Sequence, residues 1–222
     1  MTGTTALKIC GITRSEDLRA CVDLGVDAIG LNFWPKSKRA VSLEEGKALV
    51  ASLDRGRTRV VGVFVDESPE RIDEIASAVG LDAIQLHGDM QPAAYRGLWF
   101  GPERRVESWV KVVRGTPSLE RLVEASGDEA WTLLDAAVEG FGGAGRRTDW
   151  AWAADAVRRL APQPVWLAGG VNAGNAAAAI AQVRPFGLDV ASGAEISGAP
   201  RGEKDHEAIA ALVRICHNAV SP

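Results

Sequence analysis

The chain alternates between two hydrophobic periods. Short β-rich runs read ALKIC, AIGLNF, RVVGVFV, AIQLH, WVKVV, WTLLD, PVWLA and LDVAS. Helix-like stretches fall between them at about 15–24, 43–53, 69–78, 117–125, 150–159 and 173–181. Strands that alternate with helices build βαβ units, and the strands of such units lie parallel. Eight is the number that closes a (β/α)8 barrel, the TIM barrel of the α/β class. The 222 residues, 46% of them hydrophobic, suffice for one such domain spanning 1–222. The alternation is weakest over 88–108, where Pro92, Gly97, Gly101 and Pro102 interrupt the expected fourth helix.

Several function classes fall away on composition. A net charge of −4 gives no basic footprint for nucleic acid. The opening MTGTTALKIC lacks a basic segment followed by a long apolar one, so no secretory signal is expected. The small-apolar stretch NAAAAIAQV is too short to span a bilayer. Three cysteines, Cys10, Cys21 and Cys216, form no CxxC pair, which argues against a disulfide framework or a zinc site. A reducing cytoplasm is the expected compartment.

One tripeptide recurs. LGVDAIG (24–30), VGLDAIQ (79–85) and FGLDVAS (186–192) share Gly-apolar-Asp. The glycine suits a left-handed helix end, and the aspartate then leads into the strand. Side chains alternate across a strand, so residues three and five beyond each Asp share a face. In the second copy these are Gln85 and His87, expected to face the barrel axis, with Ile84 and Leu86 under the helices. The same register places Asp189 beside Asp27 and Asp82, at the start of a strand and away from the rim.

Active sites of this fold are built at the C-terminal ends of the strands. The first strand ends in Cys10, with Lys8 on the same face, where a nearby ammonium favours the thiolate. A lone strand cysteine is more often a small buried hydrophobe, and Cys21 and Cys216, in helical patterns, keep that reading. The sixth strand ends in Asp135, which opens a glycine-rich loop carrying Gly142, Gly143 and Gly145. That loop reads as a mobile lid, and Gly143 and Gly145 join the candidate phosphate contacts. Asp149 is the expected N-cap for the helix that follows. Phosphate is expected on the loops after strands seven and eight, at Gly169, Gly170, Ser192 and Gly193. The second strand runs into WPKSKR, where Lys36 and Lys38 read as solvated. A metal site has no support, because His87 is far in sequence from His206 and His217.

The set KICGIT, FWPKSKR, VGVFV, IQLHGD, LLDAAVEGFGGAGRRTDW, LAGGVNAGN and DVASGAE, in this order, resembles the phosphoribosylanthranilate isomerases of tryptophan biosynthesis, from about Lys8 to about Asp205. The resemblance implies a (β/α)8 barrel and an Amadori rearrangement. N-(5-phosphoribosyl)anthranilate would become 1-(2-carboxyphenylamino)-1-deoxy-D-ribulose 5-phosphate, without metal or organic cofactor. It implies Cys10 as general base, Asp135 as general acid and Arg39 as the partner of the anthranilate carboxylate. A guanidinium fork matches a carboxylate. Gln85 and His87 would line or orient the substrate. The expected partner is thus a phosphorylated small molecule, with the chain a monomer or homodimer. Asn32, the 96–108 segment and the seven tryptophans depart from the pattern. Two alternatives stand beside this reading: another sugar-phosphate isomerase or epimerase on the same barrel, and a catalytically silent phosphate-binding barrel.

Overall fold

The computed structural model describes residues 4–51, 54, 56–88, 108–125, 131–136 and 147–218. Within them lie eight strands: β1 (Ala6–Cys10), β2 (Ala28–Asn32), β3 (Arg59–Val65), β4 (Ala83–His87), β5 (Ser108–Arg114), β6 (Trp131–Asp135), β7 (Val165–Leu167) and β8 (Gly187–Val190). Each pairs in parallel with the next, and β8 pairs with β1, so the sheet closes into a barrel. The helices described are α1 (Ser15–Asp23), α2 (Leu43–Ala51), α3 (Pro69–Val79), α4 (Leu119–Ala125), α5 (Trp150–Leu160), α6 (Ala176–Val183) and α7 (His206–Asn218). Two 3-10 turns, Ser192–Ala194 and Pro200–Gly202, lie between β8 and α7. The helix expected within 88–108 lies outside the described residues.

Local chemistry explains the helix ends. The Ser68 hydroxyl accepts from the Arg71 N–H at the start of α3, Pro69 occupies the first turn, and Gly80 closes the helix in the left-handed conformation. Asp149 caps α5 as expected, accepting from the N–H groups of Ala151 and Trp152. Outside the barrel, alternate strand residues such as Leu7, Ile9, Ile29, Leu31, Ile84 and Leu86 pack with the inner faces of the helices in the main core.

The barrel interior is a separate, smaller core. Val110, Leu133, Trp166 and Ala168 cluster there with Trp131 and Val112 packed against them. Trp131 and Trp166 lie 5.3 Å apart between ring centroids, and Phe186 lies 5.7 Å from Trp166. Two of the unexplained tryptophans thus fill the axis. Two others are tied to α5: Trp150 is buried, and the Trp152 indole N–H donates to the Pro117 carbonyl.

The Gly-apolar-Asp register holds for two of its three copies. Gly25 and Gly80 are left-handed, and Asp27 and Asp82 then sit at the entrance to β2 and β4. Their carboxylates accept from the N–H groups of Leu7 and Val60 on the preceding strands. In the third copy Arg184 takes the left-handed role, with φ 54°, and Gly187 is already inside β8. Backbone bonds fix the equivalence: Asp27, Asp82 and Phe186 donate to Leu7, Val60 and Val165 respectively. Phe186 therefore stands where the aspartates stand. Asp189 lies three residues further on, level with Gly30 and Gln85. The expectation that Asp189 belongs to the strand-start face is wrong, because the helix before it ends three residues earlier than the tripeptide suggests.

Candidate active site

At this level Asp189 joins Lys8, Gln85 and His87 in a buried polar layer beneath the mouth. Lys8 and Asp189 are register partners on β1 and β8. The Lys8 ammonium lies 2.9 Å from each Asp189 oxygen and donates to Gln85 Oε1 at 3.0 Å. Burial opposes the Lys8 charge, yet Asp189 and Cys10 outweigh it and raise the Lys8 pKa. Since Gln85 Oε1 accepts from Lys8, its NH2 group faces His87 Nε2, 2.8 Å away. Nε2 is then an acceptor, and the ring is neutral with its proton on Nδ1. Burial, with Lys8 and Arg114 adding to it, pushes the His87 pKa down to about 3. Gln85 and His87 thus face inward as expected, and His87 is a fixed neutral imidazole near neutrality rather than an acid–base group.

Cys10 ends β1 directly above this layer and is half-buried. Its register partner is Gly30. A Cβ at Gly30 would lie 2.8 Å from Cys10 Sγ, 3.2 Å from Cys10 Cα and 3.3 Å from Lys8 Cε. The bare Gly30 backbone is the seat of the thiol. Burial pushes the Cys10 thiol above its ordinary 9.0; Lys8 opposes, Asp189 reinforces, Lys204 opposes, and burial prevails. Lys8 alone therefore does not secure a thiolate in the free protein, because Asp189 already engages its charge. Cys21 and Cys216 are fully buried, and burial pushes each thiol up to about 12. They are inert packing residues.

Asp135 ends β6, three strands round the barrel from β1. Burial pushes its carboxyl up to about 6 although the Ala136 N–H donates to Oδ1 at 2.8 Å. A cavity of about 400 Å³ opens beside it, lined among the described residues by Gly115, Thr116, Ala136, Arg147, Thr148 and Asp149. Gly142, Gly143 and Gly145 lie outside the described residues.

Arg39 is buried on the segment that follows β2. Asn32, the residue that departed from the pattern, organises this segment. Its side-chain Oδ1 accepts from the Trp34 N–H, and its Nδ2 donates to Ser37 Oγ, which also accepts from the Arg39 N–H. Arg39 passes over Gly11, whose φ of 79° and missing Cβ leave room for its methylenes. Arg39 Nε and Nη2 both donate to the Glu195 carboxylate, the latter at 3.0 Å. Burial would raise the Glu195 carboxyl, but Arg39 and Lys204 outweigh it and hold it down at about 2. Lys36 and Lys38 are exposed, and the Lys38 ammonium lies 3.4 Å from Glu195.

Gly169 and Gly170, both with positive φ, turn the chain after β7. Asn175 ties this turn down by donating to the Gly170 carbonyl at 2.9 Å. Ser192 and Gly193 follow β8, and a Cβ at Gly193 would collide with the Val171 carbonyl. The two loops abut and form one partly exposed surface. Among the described residues no three His, Cys, Asp or Glu side chains converge as a metal site.

Sequence reasoning missed Asp189, Glu195 and Lys204. Asp189 had a signal, misread by the tripeptide register. Glu195 stood in the quoted SGAE with no sign of its partner 156 residues away. Lys204 carries no local signature.

A sequence profile described as N-(5'phosphoribosyl)anthranilate (PRA) isomerase matches residues 7–214. The chain belongs to this family. It is 43% identical over 210 residues to the N-(5'-phosphoribosyl)anthranilate isomerase of Myxococcus xanthus (strain DK1622), with 94% of each chain covered. The crystal structure of phosphoribosyl anthranilate isomerase from Thermotoga maritima superposes with a TM-score of 0.83 at 36% identity, covering 96% of this chain and 99% of that one. A phosphoribosyl anthranilate isomerase in complex with reduced 1-(o-carboxyphenylamino)-1-deoxyribulose 5-phosphate matches with a TM-score of 0.80 at 34% identity, covering 96% and 99%. Among the described residues no helix is long and apolar enough to cross a membrane.

Proposed function

We propose that this chain, as one barrel domain, catalyses the phosphoribosylanthranilate isomerase reaction of tryptophan biosynthesis with Cys10 as general base and Asp135 as general acid. The observation that carries these roles is the pair of strand ends. A half-buried thiol and a carboxyl with a pKa of about 6 share one barrel mouth. Asp135 in its protonated form donates to the furanose ring oxygen. The C1–O bond breaks, and the nitrogen lone pair forms the Schiff base. Cys10 as thiolate then takes the proton from C2, and the electron pair of that bond runs into the C1–N system to give the enolamine. Tautomerisation places a proton on C1 and yields the ketone. Acid and base thus act on different atoms, as the opposite roles require.

The other assignments follow the charges of the substrate. Arg39 receives the anthranilate carboxylate on the part of its guanidinium that Glu195 does not hold. Gly169, Gly170, Ser192 and Gly193 receive the phosphate, and Gly143 and Gly145 are assigned to the same group. Gln85 and His87 orient the ribose-derived chain. The three free cysteines suit a cytoplasmic enzyme, active as a monomer or homodimer.

The test is the decay of phosphoribosylanthranilate fluorescence with purified protein and with Cys10→Ala and Asp135→Asn. Each variant should lose at least ~100-fold in kcat, the lower end for general acid–base catalysis, with its melting temperature nearly unchanged. A folded Cys10→Ala protein with near-normal turnover would remove Cys10 from the mechanism.

A further inference from the structure

The mechanism above leaves one fully buried cation without a task. Lys204 lies between the Pro200–Gly202 turn and α7, and its side chain has no solvent exposure. A buried ammonium is costly unless it is paired and all its donors are used. Here all three are directed. They go to the Cys10 carbonyl at 2.8 Å, the Ala191 carbonyl at 3.2 Å and Glu195 Oε1 at 3.2 Å. Two of these acceptors lie at the end of β1 and on the residue that follows β8. The third is the carboxylate that grips Arg39.

The charge count gives the arrangement a purpose. Glu195 holds Arg39 through Nε and Nη2, and among the described residues Nη1 has no acceptor. Arg39 and Glu195 alone would make a neutral pair, and Glu195 would repel a second carboxylate brought to that guanidinium. Lys204 cancels the Glu195 charge, so the trio keeps a net positive charge. It also holds Glu195 in place, and with it the plane of the guanidinium. The exposed Lys38 is a weaker, solvent-screened contributor.

We propose that Lys204 is a positioning residue for the isomerase. Through Glu195 it orients Arg39 and keeps that end of the site electropositive for an aromatic carboxylate, while fixing the strand end that carries Cys10. The proposal rests on the reading that Arg39 receives the anthranilate carboxylate.

The test uses two ligands on the full chain: the reduced carboxyphenylamino-deoxyribulose 5-phosphate, and its phenylamino counterpart lacking the carboxylate. Dissociation constants are measured by calorimetry. Lys204→Met keeps the length of the stem and removes the charge; Lys204→Gln, which still donates to carbonyls, guards against a folding defect. Either should weaken the carboxylate ligand by roughly tenfold or more, the loss of a charge-assisted contact, and leave its counterpart unchanged. Adding Glu195→Gln to Lys204→Met should recover affinity for the carboxylate ligand, because the uncompensated anion is gone. Equal weakening of both ligands, no recovery in the double variant, or a chain that folds with neither substitution would overturn the proposal. Arg39→Met separates the two claims. If it weakens both ligands alike, the carboxylate assignment of Arg39 fails. If it acts on the carboxylate ligand alone while the Lys204 variants bind normally, only the role of Lys204 fails.

Discussion

Gly30→Ala changes one hydrogen into a methyl group at the point where β2 passes beneath Cys10. The new Cβ would stand 2.8 Å from Sγ, whereas non-bonded carbon-type contacts settle at about 3.5–4.0 Å. The sulfur must therefore retreat by roughly 1 Å. The strand backbone cannot yield for it, since Gly30 and Cys10 are ladder partners and the Gly30 carbonyl accepts from the N–H groups of Gly11 and Ile12. Nor can the methyl turn aside, with Cys10 Cα and Lys8 Cε at 3.2 and 3.3 Å. What remains is rotation about the Cys10 Cα–Cβ bond, at a cost of about 0.5–1.5 kcal/mol. Alanine is better than glycine inside a strand by about 0.5–1 kcal/mol, so the two effects nearly cancel in stability. Catalysis has no such offset. A base displaced by about 1 Å costs on the order of 100-fold in rate, equivalent to about 2.7 kcal/mol of barrier. The assay pairs steady-state fluorescence decay of phosphoribosylanthranilate with a thermal melt. The expected result is a large fall in kcat in a protein whose melting temperature shifts by only a few degrees. If Gly30→Ala turns over at the normal rate, the position of Cys10 Sγ does not govern the reaction, and the thiol is not its base.

Three further outcomes are expected. Below about pH 6 Asp135 is protonated and the thiolate fraction rises with pH; above it, loss of the Asp135 proton cancels that gain until Cys10 itself is deprotonated above 9.0. A profile of kcat/KM should therefore climb to a plateau near pH 6 and fall only in the alkaline range, and a single sharp optimum near neutrality would contradict a carboxyl at about 6 beside a thiol that burial pushes upward. Iodoacetamide should label one cysteine in the folded protein, Cys10, with a rate that reaches half its maximum above pH 9.0, while Cys21 and Cys216 react only in denaturant. Asp189→Ala strands the Lys8 ammonium, whose side chain is 4% exposed, and should lower stability by about 3–5 kcal/mol in urea titration; an unchanged midpoint would mean that Lys8 is neutral in the fold.

The features legible in the chain are those set by short-range chemistry. Alternating periods located the strands and most helices, because burial of one face imposes its period on the residues themselves. The same alternation turned Gln85 and His87 inward, and Cys10 and Asp135 could be read as strand ends because each closes an apolar run. The depth of Asp189 was not legible. Its Gly-Leu-Asp is identical to the one at Asp82, but the preceding helix closes on Arg184, so the same three residues enter their strand further along. Nor could the Arg39–Glu195–Lys204 chain be read: Glu195 reaches Arg39, and Lys204 reaches Glu195 and the Cys10 carbonyl, only when β8 closes against β1, 156 residues from Arg39 and 194 from Cys10 respectively. Local pattern determines which face a side chain takes; barrel closure decides which level it occupies and which distant charges it meets.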